Sequence, residues 1–216
     1  MPKLPRAPDL KRLRSYEPAT FNLKAGSVWH RLYSRGGDHP TSWDALRYFG
    51  PTLSRFDHQV LDEHERPHMQ NRGISYFAGD IPTCLAEVFQ TTRTIDRKTG
   101  HPWLASFKLQ NDIALLDLTD TFPVKSGASM KLVSGPRVYA QNWSRGFYDC
   151  FPEIDGLYFL SSMTNRPLVA LYERALSKSV FPDSPEFHRP IDDPLLLRPL
   201  KVACLNIGYD LAPDIT

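Results

Sequence analysis

Six short stretches of apolar or alternating residues predict β-strands. In Gly73–Ala78, Ile74, Tyr76 and Ala78 share one face of the predicted strand, which points Tyr76 inward. The other five stretches are Ser27–Tyr33, Leu104–Leu109, Ile113–Leu118, Gly156–Leu160 and Leu168–Tyr172. The residues Gln110–Asp112 predict a hairpin-like turn between the two strands that flank them.

Two longer stretches have the spacing of helices. In Pro82–Gln90, Thr83 is the candidate N-cap and the apolar residues lie on one side. Pro136–Phe151 begins with a proline, which suits a first helical turn. Its expected buried stripe consists of Val138, Trp143, Phe147 and Cys150. Strands and helices together predict an α+β domain with a small mixed β-sheet and flanking helices.

Prolines concentrate near both ends of the chain and basic residues near its N-terminus, which predicts a three-part organisation. Residues 1–24 are expected to form a basic, Pro-rich N-terminal arm, and residues 25–182 the folded domain. Residues 183–216 are expected to form an extension that runs as a strap, with the apolar segment Leu200–Tyr209 packing on the domain.

Charge and hydropathy remove several classes of protein. The 216 residues contain 41% hydrophobic and 23% charged side chains, typical of a globular protein. The net charge of +2 gives no strong field toward nucleic acid or membrane. No apolar run of the length of a bilayer span occurs, and the first residues lack the apolar core of a signal peptide. A cytoplasmic protein without a membrane partner is therefore expected.

Cysteine and histidine spacings do not predict a metal site. Cys84, Cys150 and Cys204 are odd in number and widely spaced, which argues against a disulfide framework and a structural zinc. Each lies beside apolar residues and is expected to be a buried, unreactive thiol. The pair His64 and His68 has helical spacing, but Pro67 interrupts the segment.

Five side chains are candidates for binding or catalysis. Arg31 and Arg55 offer planar forks of donors that suit phosphate or carboxylate, although a solvated surface arginine is the better explanation of each taken alone. Tyr76 is expected to point inward, where its hydroxyl needs a partner. Glu87 is a carboxylate in the apolar run Leu85–Phe89.

The fifth candidate is a serine after the predicted strand Gly156–Leu160. Ser161 and Ser162 are adjacent there, and strand alternation lets one of them face a cleft. No GxSxG elbow surrounds them, so a serine hydrolase is weakly supported; a serine-directed phosphonate probe would label such an enzyme.

The order of these residues resembles the RES-domain family, named for an arginine, a glutamate and a serine. The matching strings are Trp29-His30-Arg31, Ser54-Arg55-Phe56-Asp57, Arg72-Gly73-Ile74-Ser75-Tyr76-Phe77-Ala78, Thr83-Cys84-Leu85-Ala86-Glu87 and Asp155-Gly156-Leu157-Tyr158-Phe159-Leu160-Ser161-Ser162. The resemblance covers roughly residues 25–180. One string departs from the family, because many members have a Gly-Gly-Arg-Trp-Asn-like sequence around Arg55.

The resemblance implies an ADP-ribosyltransferase-like fold and the toxin of a type II toxin–antitoxin system. Such a toxin depletes NAD by cleaving the nicotinamide–ribose bond, as a glycohydrolase or a phosphorylase. Glu87, Arg31 and Ser161 would be catalytic, and Arg31, Arg55, Tyr76 and Ser161 would bind NAD. NAD would be the substrate, with no further cofactor and no metal.

The resemblance also implies partners. A cognate helix-turn-helix antitoxin would block the cleft, and the toxin would form a homodimer and a toxin–antitoxin hetero-oligomer. Two other functions stay open: an ADP-ribosyltransferase that modifies a protein, and a non-catalytic nucleotide-binding module. Release of free nicotinamide from NAD separates the enzyme from the module, and the accepting group (water, phosphate or protein) is left open by the sequence.

Overall fold

A mixed nine-stranded sheet with helices packed against it organises the computed structural model of the protein, which describes residues 8–213. The α+β class predicted from the sequence is confirmed, and the sheet is larger than expected. The strands that were not predicted are two to four residues long, which is too short for a clear alternating pattern.

The strands, in chain order, are β1 (Thr20–Leu23), β2 (Val28–Ser34), β3 (Arg47–Gly50), β4 (His68–Ala78), β5 (Thr94–Ile95), β6 (Pro102–Lys108), β7 (Ile113–Asp117), β8 (Gly156–Leu160), β9 (Pro167–Tyr172), β10 (Phe187–Pro190) and β11 (Asp210–Leu211). The α-helices are α1 (Leu10–Arg14), α2 (Ile81–Val88), α3 (Phe122–Lys125), α4 (Lys131–Ser134), α5 (Arg137–Cys150) and α6 (Leu197–Ile207). Two 3₁₀ helices span Glu173–Lys178 and Pro194–Leu196.

The order of strands in the large sheet is β1-β7-β8-β9-β4-β2-β6-β10, and β3 pairs with β4. The pair β7–β8 is parallel, and the other pairs of this sheet are antiparallel. The strands β2 and β4 share a single register pair, His30 with Ala78. Short strands β5 and β11 form a separate parallel pair.

The predicted hairpin around Gln110–Asp112 is wrong. The strand before it, β6, pairs with β2 and β10, whereas β7 pairs with β1 and β8 in the other half of the sheet. The backbone N–H of Gln110 donates to Val180 O (3.0 Å), which leads the chain away from β6. A turn-like sequence indicates a change of direction, but it does not specify which strands pair.

The two predicted helices form, with differences in detail. Asp80, rather than Thr83, is the N-cap of α2, because its carboxylate accepts the Thr83 N–H at 2.7 Å. In α5, Trp143 and Phe147 are buried as expected, whereas Val138 is 63% exposed. The buried face runs instead through Tyr139, four residues before Trp143, which places Val138 about 100° away from it.

Apolar layers cover both faces of the sheet, and the alternation along each strand separates them. In β2, Leu32 belongs to the layer packed against α2 and α5, whereas Trp29 and Tyr33 belong to the opposite layer. In β9, Ala170 and Leu171 are divided in the same way. Each strand residue is therefore assigned to one face, which decides which side chains can reach a common site.

Both ends of the described chain pack on this framework. Leu13 of α1 is buried against α5, and the first seven residues of the expected arm lie outside the described residues. Near the other end, β10 adds an edge strand beside β6, and the apolar segment Leu200–Tyr209 lies largely in α6. The Tyr209 hydroxyl donates to Ala86 O (3.1 Å), so this end supports α2.

Candidate functional site

A cavity of about 540 Å³ lies between α2, the loop 52–55, the start of α5 and the ends of β4 and β8. Of the residues predicted as a site, Arg55, Tyr76 and Glu87 line it, together with Ser162. Ser161 lies directly behind Glu87, to which it is bonded. The structure therefore brings together four of the five predicted positions, and Arg31 is the exception.

Glu87 is held by Ser161. The serine hydroxyl donates to Glu87 Oε1 at 2.5 Å, and the serine is 4% exposed whereas the glutamate is half-buried at the cavity wall. Ser162 is exposed and lines the cavity without this bond. The two serines therefore differ in role: Ser161 orients the carboxylate, and Ser162 forms part of the wall.

The turn after β8 fixes the Ser161 hydroxyl from the other side. Its oxygen accepts the N–H groups of Met163 (3.0 Å) and Thr164 (3.1 Å). The Thr164 hydroxyl is 2.8 Å from that of Thr83, which ties the turn to α2. The Ser161 hydroxyl is thus fully engaged, and no histidine lines the cavity in the described part of the chain, so the serine-hydrolase alternative gains no support.

Arg55 projects into the cavity from an irregular loop. Its Nη1 donates to Gly135 O at 2.7 Å, just before α5 begins. Burial lowers the pKa of Arg55, the positive charge of Arg137 lowers it further, and the negative charge of Glu87 acts in the opposite direction. A guanidinium remains charged at neutral pH in such surroundings, so Arg55 supplies a fixed cation close to a carboxylate.

The loop that carries Arg55 is anchored by buried Asp57. This carboxylate accepts hydrogen bonds from Arg47 Nη2 (2.6 Å), Thr52 N (2.7 Å) and the Tyr76 hydroxyl (2.9 Å). The Tyr76 oxygen also accepts the Phe56 N–H (3.2 Å), and burial raises the pKa of Tyr76 well above its usual value. Tyr76 therefore lines the cavity with its ring and holds the loop with its hydroxyl.

The helix α5 holds the same loop through its backbone carbonyls. Gln141 Nε2 donates to Thr52 O (2.8 Å) and Ser54 O (2.9 Å), and Ser144 Oγ donates to Phe56 O (2.7 Å). Because these carbonyls lie on both sides of Arg55, the loop has little freedom to move its guanidinium.

Arg31 lies on the opposite face of β2 from the cavity residue Leu32. Its Nη1 donates to the carbonyls of Trp43 (3.0 Å) and Ala45 (2.6 Å), and its guanidinium is 5.7 Å from the centre of the Phe77 ring. Burial lowers the pKa of Arg31 to about 10. In this position Arg31 ties the segment before β3 to the sheet and does not reach a ligand in the cavity.

We expect Arg31→Met to act mainly on stability. The substitution keeps an apolar stem but leaves the carbonyls of Trp43 and Ala45 without their donor, which costs about 2 kcal/mol. Urea denaturation measures this loss, and the dissociation constant of a nucleotide in the cavity should change less than about twofold. A tenfold higher dissociation constant with wild-type stability would instead support the NAD-binding role that the family resemblance implies for Arg31.

Arg137 and Gln90 also line the cavity, and neither was identified from the sequence. Arg137 is the first residue of α5, and its Nη2 donates to Gln90 Oε1 at 3.2 Å. Gln90 in turn donates from Nε2 to Glu87 O (2.8 Å). The Gly-Pro pair before Arg137 predicts a helix start, but nothing local indicates that this start faces α2.

The cavity wall includes a thiol, but it is not a reactive one. Cys84 lines the cavity from α2, and burial raises its pKa to about 12, so it stays protonated at neutral pH. Within residues 8–213, no cluster of three or more His, Cys, Asp or Glu side chains could hold a metal ion. No helix in that range is both long and apolar enough to cross a bilayer.

Comparisons with known proteins agree with the fold. The family model of the RES domain matches residues 28–192. Among solved structures, a chain from the crystal structure of the M. tuberculosis MbcT–MbcA toxin–antitoxin complex is similar, with a TM-score of 0.58 and 17% sequence identity. The alignment covers 89% of this chain and 96% of that chain. No curated protein matches the sequence. Since the family model spans well over half of its length, the chain belongs to the RES-domain family.

Proposed function

We propose that this protein is the toxin of a toxin–antitoxin pair and that it destroys NAD by cleaving the nicotinamide–ribose bond. The observation that carries the proposal is the carboxylate of Glu87, fixed by Ser161 at the wall of a cavity that also contains the cation of Arg55. Two further findings support it. The chain belongs to the RES-domain family, and its fold is similar to that of one chain in a toxin–antitoxin complex.

The carboxylate fits the charge that develops in this reaction. As the nicotinamide leaves, it takes the bonding electron pair and becomes neutral, while positive charge grows on the ribose. A fixed negative charge beside the ribose stabilises that transition state more than the ground state. Because the Ser161 hydroxyl already orients Glu87, little rearrangement is needed when the bond breaks.

The cavity suits a dinucleotide in size and in charge. A volume of about 540 Å³ is in the range typical of small-molecule sites. Arg55 offers a fork of donors for the diphosphate, and the Tyr76 ring forms part of the wall against which a planar base can pack. In this proposal Arg31 supports the sheet behind the site, since its donors are used by backbone carbonyls.

The test is product analysis after incubation of the purified protein with NAD, with and without inorganic phosphate. We expect free nicotinamide in equal amount to the second product. That product is ADP-ribose if water is the acceptor, and a phosphorylated ADP-ribose if phosphate is. Transfer of the ADP-ribosyl group to a protein would show as modified protein and would identify an ADP-ribosyltransferase. NAD that remains intact would contradict the proposal and leave a nucleotide-binding module.

An antitoxin that covers the cavity mouth completes the proposal, with the toxin acting in the cytoplasm, where NAD is available. Two apolar side chains that line the cavity are exposed: Leu53 (80%) and Val88 (53%). Exposed apolar residues around a cleft favour a protein partner. We propose a helix-turn-helix antitoxin and an assembly of toxin homodimers with it, as the family resemblance implies.

A further inference from the structure

Two arginines converge on the cavity from segments that are bonded to each other. Arg55 comes from the loop and reaches Gly135 O (2.7 Å), while Arg137 follows two residues later at the start of α5. Gln141 of the same helix donates to the carbonyls of Thr52 and Ser54 in the loop. The two guanidinium groups are therefore held in a common framework, and both line the cavity.

Their charges are not balanced within the protein. Among the residues that line the cavity in the described chain, Glu87 is the carboxylate, and neither arginine forms an ion pair with it within residues 8–213. The charge of Arg137 disfavours the protonated form of Arg55. Arg55 is half-buried and Arg137 is exposed, and the repulsion between these two like charges is relieved when an anion lies between them.

Most donors of Arg137 are available to a ligand. In residues 8–213, its guanidinium makes one hydrogen bond, to Gln90 Oε1, out of five possible N–H donors. No side chain of these described residues caps the N-terminus of α5, a helix of 14 residues, so the positive end of the helix dipole adds to the positive potential beside Arg137.

We propose that Arg137 is a second cation of the diphosphate site and grips the substrate diphosphate together with Arg55. The inference rests on the proposed function and assigns a binding role to a residue outside the five predicted positions. Gln90 links Arg137 to the backbone of Glu87, so the diphosphate and the adjacent ribose are held at a set spacing. Arg137 thereby takes the NAD-binding role that the family resemblance implied for Arg31.

The first test measures binding of ADP, which contains the diphosphate but no nicotinamide ribose. Titration calorimetry should show that Arg137→Ala and Arg55→Ala each weaken ADP binding about tenfold or more, because each removes charged hydrogen bonds. Arg137→Lys should recover part of the affinity, since it keeps the charge and loses the fork. The control is Arg198→Ala, which removes the same charge from an exposed position on α6.

The second test compares two substrates. Arg137→Ala should lower kcat/KM for NAD about tenfold and leave cleavage of nicotinamide riboside, which lacks the diphosphate, unchanged. Wild-type affinity of Arg137→Ala for ADP, or no ADP binding by the wild-type protein, would overturn the inference. Failure of the proposed function is a separate result, namely intact NAD with wild-type protein, and ADP binding still decides the role of Arg137 in that case.

Discussion

Under the proposed function, Glu87→Gln is expected to lower the rate of NAD cleavage by about 100- to 1000-fold while the fold stays intact. Glutamine has the same length and can still accept the hydrogen bond from Ser161, which is 2.5 Å from the native carboxylate. Glutamine carries no charge, so it cannot stabilise positive charge on the ribose in a cavity from which water is partly excluded. The loss should therefore appear in kcat and not in substrate binding.

The measurement is steady-state release of nicotinamide, with thermal unfolding as the control for folding. Ser161→Ala provides a matched comparison, because it keeps the charge of Glu87 and removes the hydroxyl that orients it. The rate of NAD cleavage by Ser161→Ala should fall less, about tenfold, and this decrease should also appear in kcat. Normal turnover by a correctly folded Glu87→Gln protein would exclude Glu87 from the mechanism.

Asp57→Ala should lower the free energy of unfolding by about 3 kcal/mol. The native carboxylate has no exposed surface and accepts hydrogen bonds from Arg47, Thr52 and Tyr76. Alanine leaves the Thr52 N–H and the Tyr76 hydroxyl without acceptors. The loss of the ion pair with Arg47 contributes less to this decrease in stability, because the Arg47 side chain is 30% exposed and its guanidinium can be solvated by water.

Chemical denaturation measures this loss, and Asp57→Asn is the matched variant. Asparagine keeps the shape and one acceptor oxygen, so it should cost less than alanine while removing the charge next to Arg47. Both variants release the loop that carries Arg55, so ADP affinity should fall with stability. Wild-type stability of Asp57→Ala would show that the loop is held by the α5 contacts alone.

The periodicity of apolar residues was sufficient to predict where many of the strands and helices lie. Alternation located β2, β4, β8 and β9 because each strand lies between two apolar layers or beside a helix, which gives its faces a clear pattern. The partner of each strand was not predictable, as the wrong hairpin at Gln110–Asp112 shows. Pairing depends on contacts between distant segments, and short edge strands such as β10 carry too few residues for a pattern.

The candidate site was predictable only where family motifs marked it. Alternation correctly grouped Arg31 with Trp29 on one face of β2, but it could not tell which face borders the cavity. Arg55 lies in an irregular loop, where no periodicity exists. Arg137 was missed because its approach to Gln90 depends on how α5 packs across the sheet, which local sequence does not specify.

The bond between Ser161 and Glu87 joins residues 74 positions apart in the chain. A ribosome has made the glutamate, the helix α2 and most of the sheet before the serine emerges, and α6, which supports α2 through Tyr209, comes later still. Under the proposed function, an unfinished chain therefore lacks a working centre. The proposed antitoxin can therefore be supplied while the toxin is being translated, before a complete toxin molecule exists.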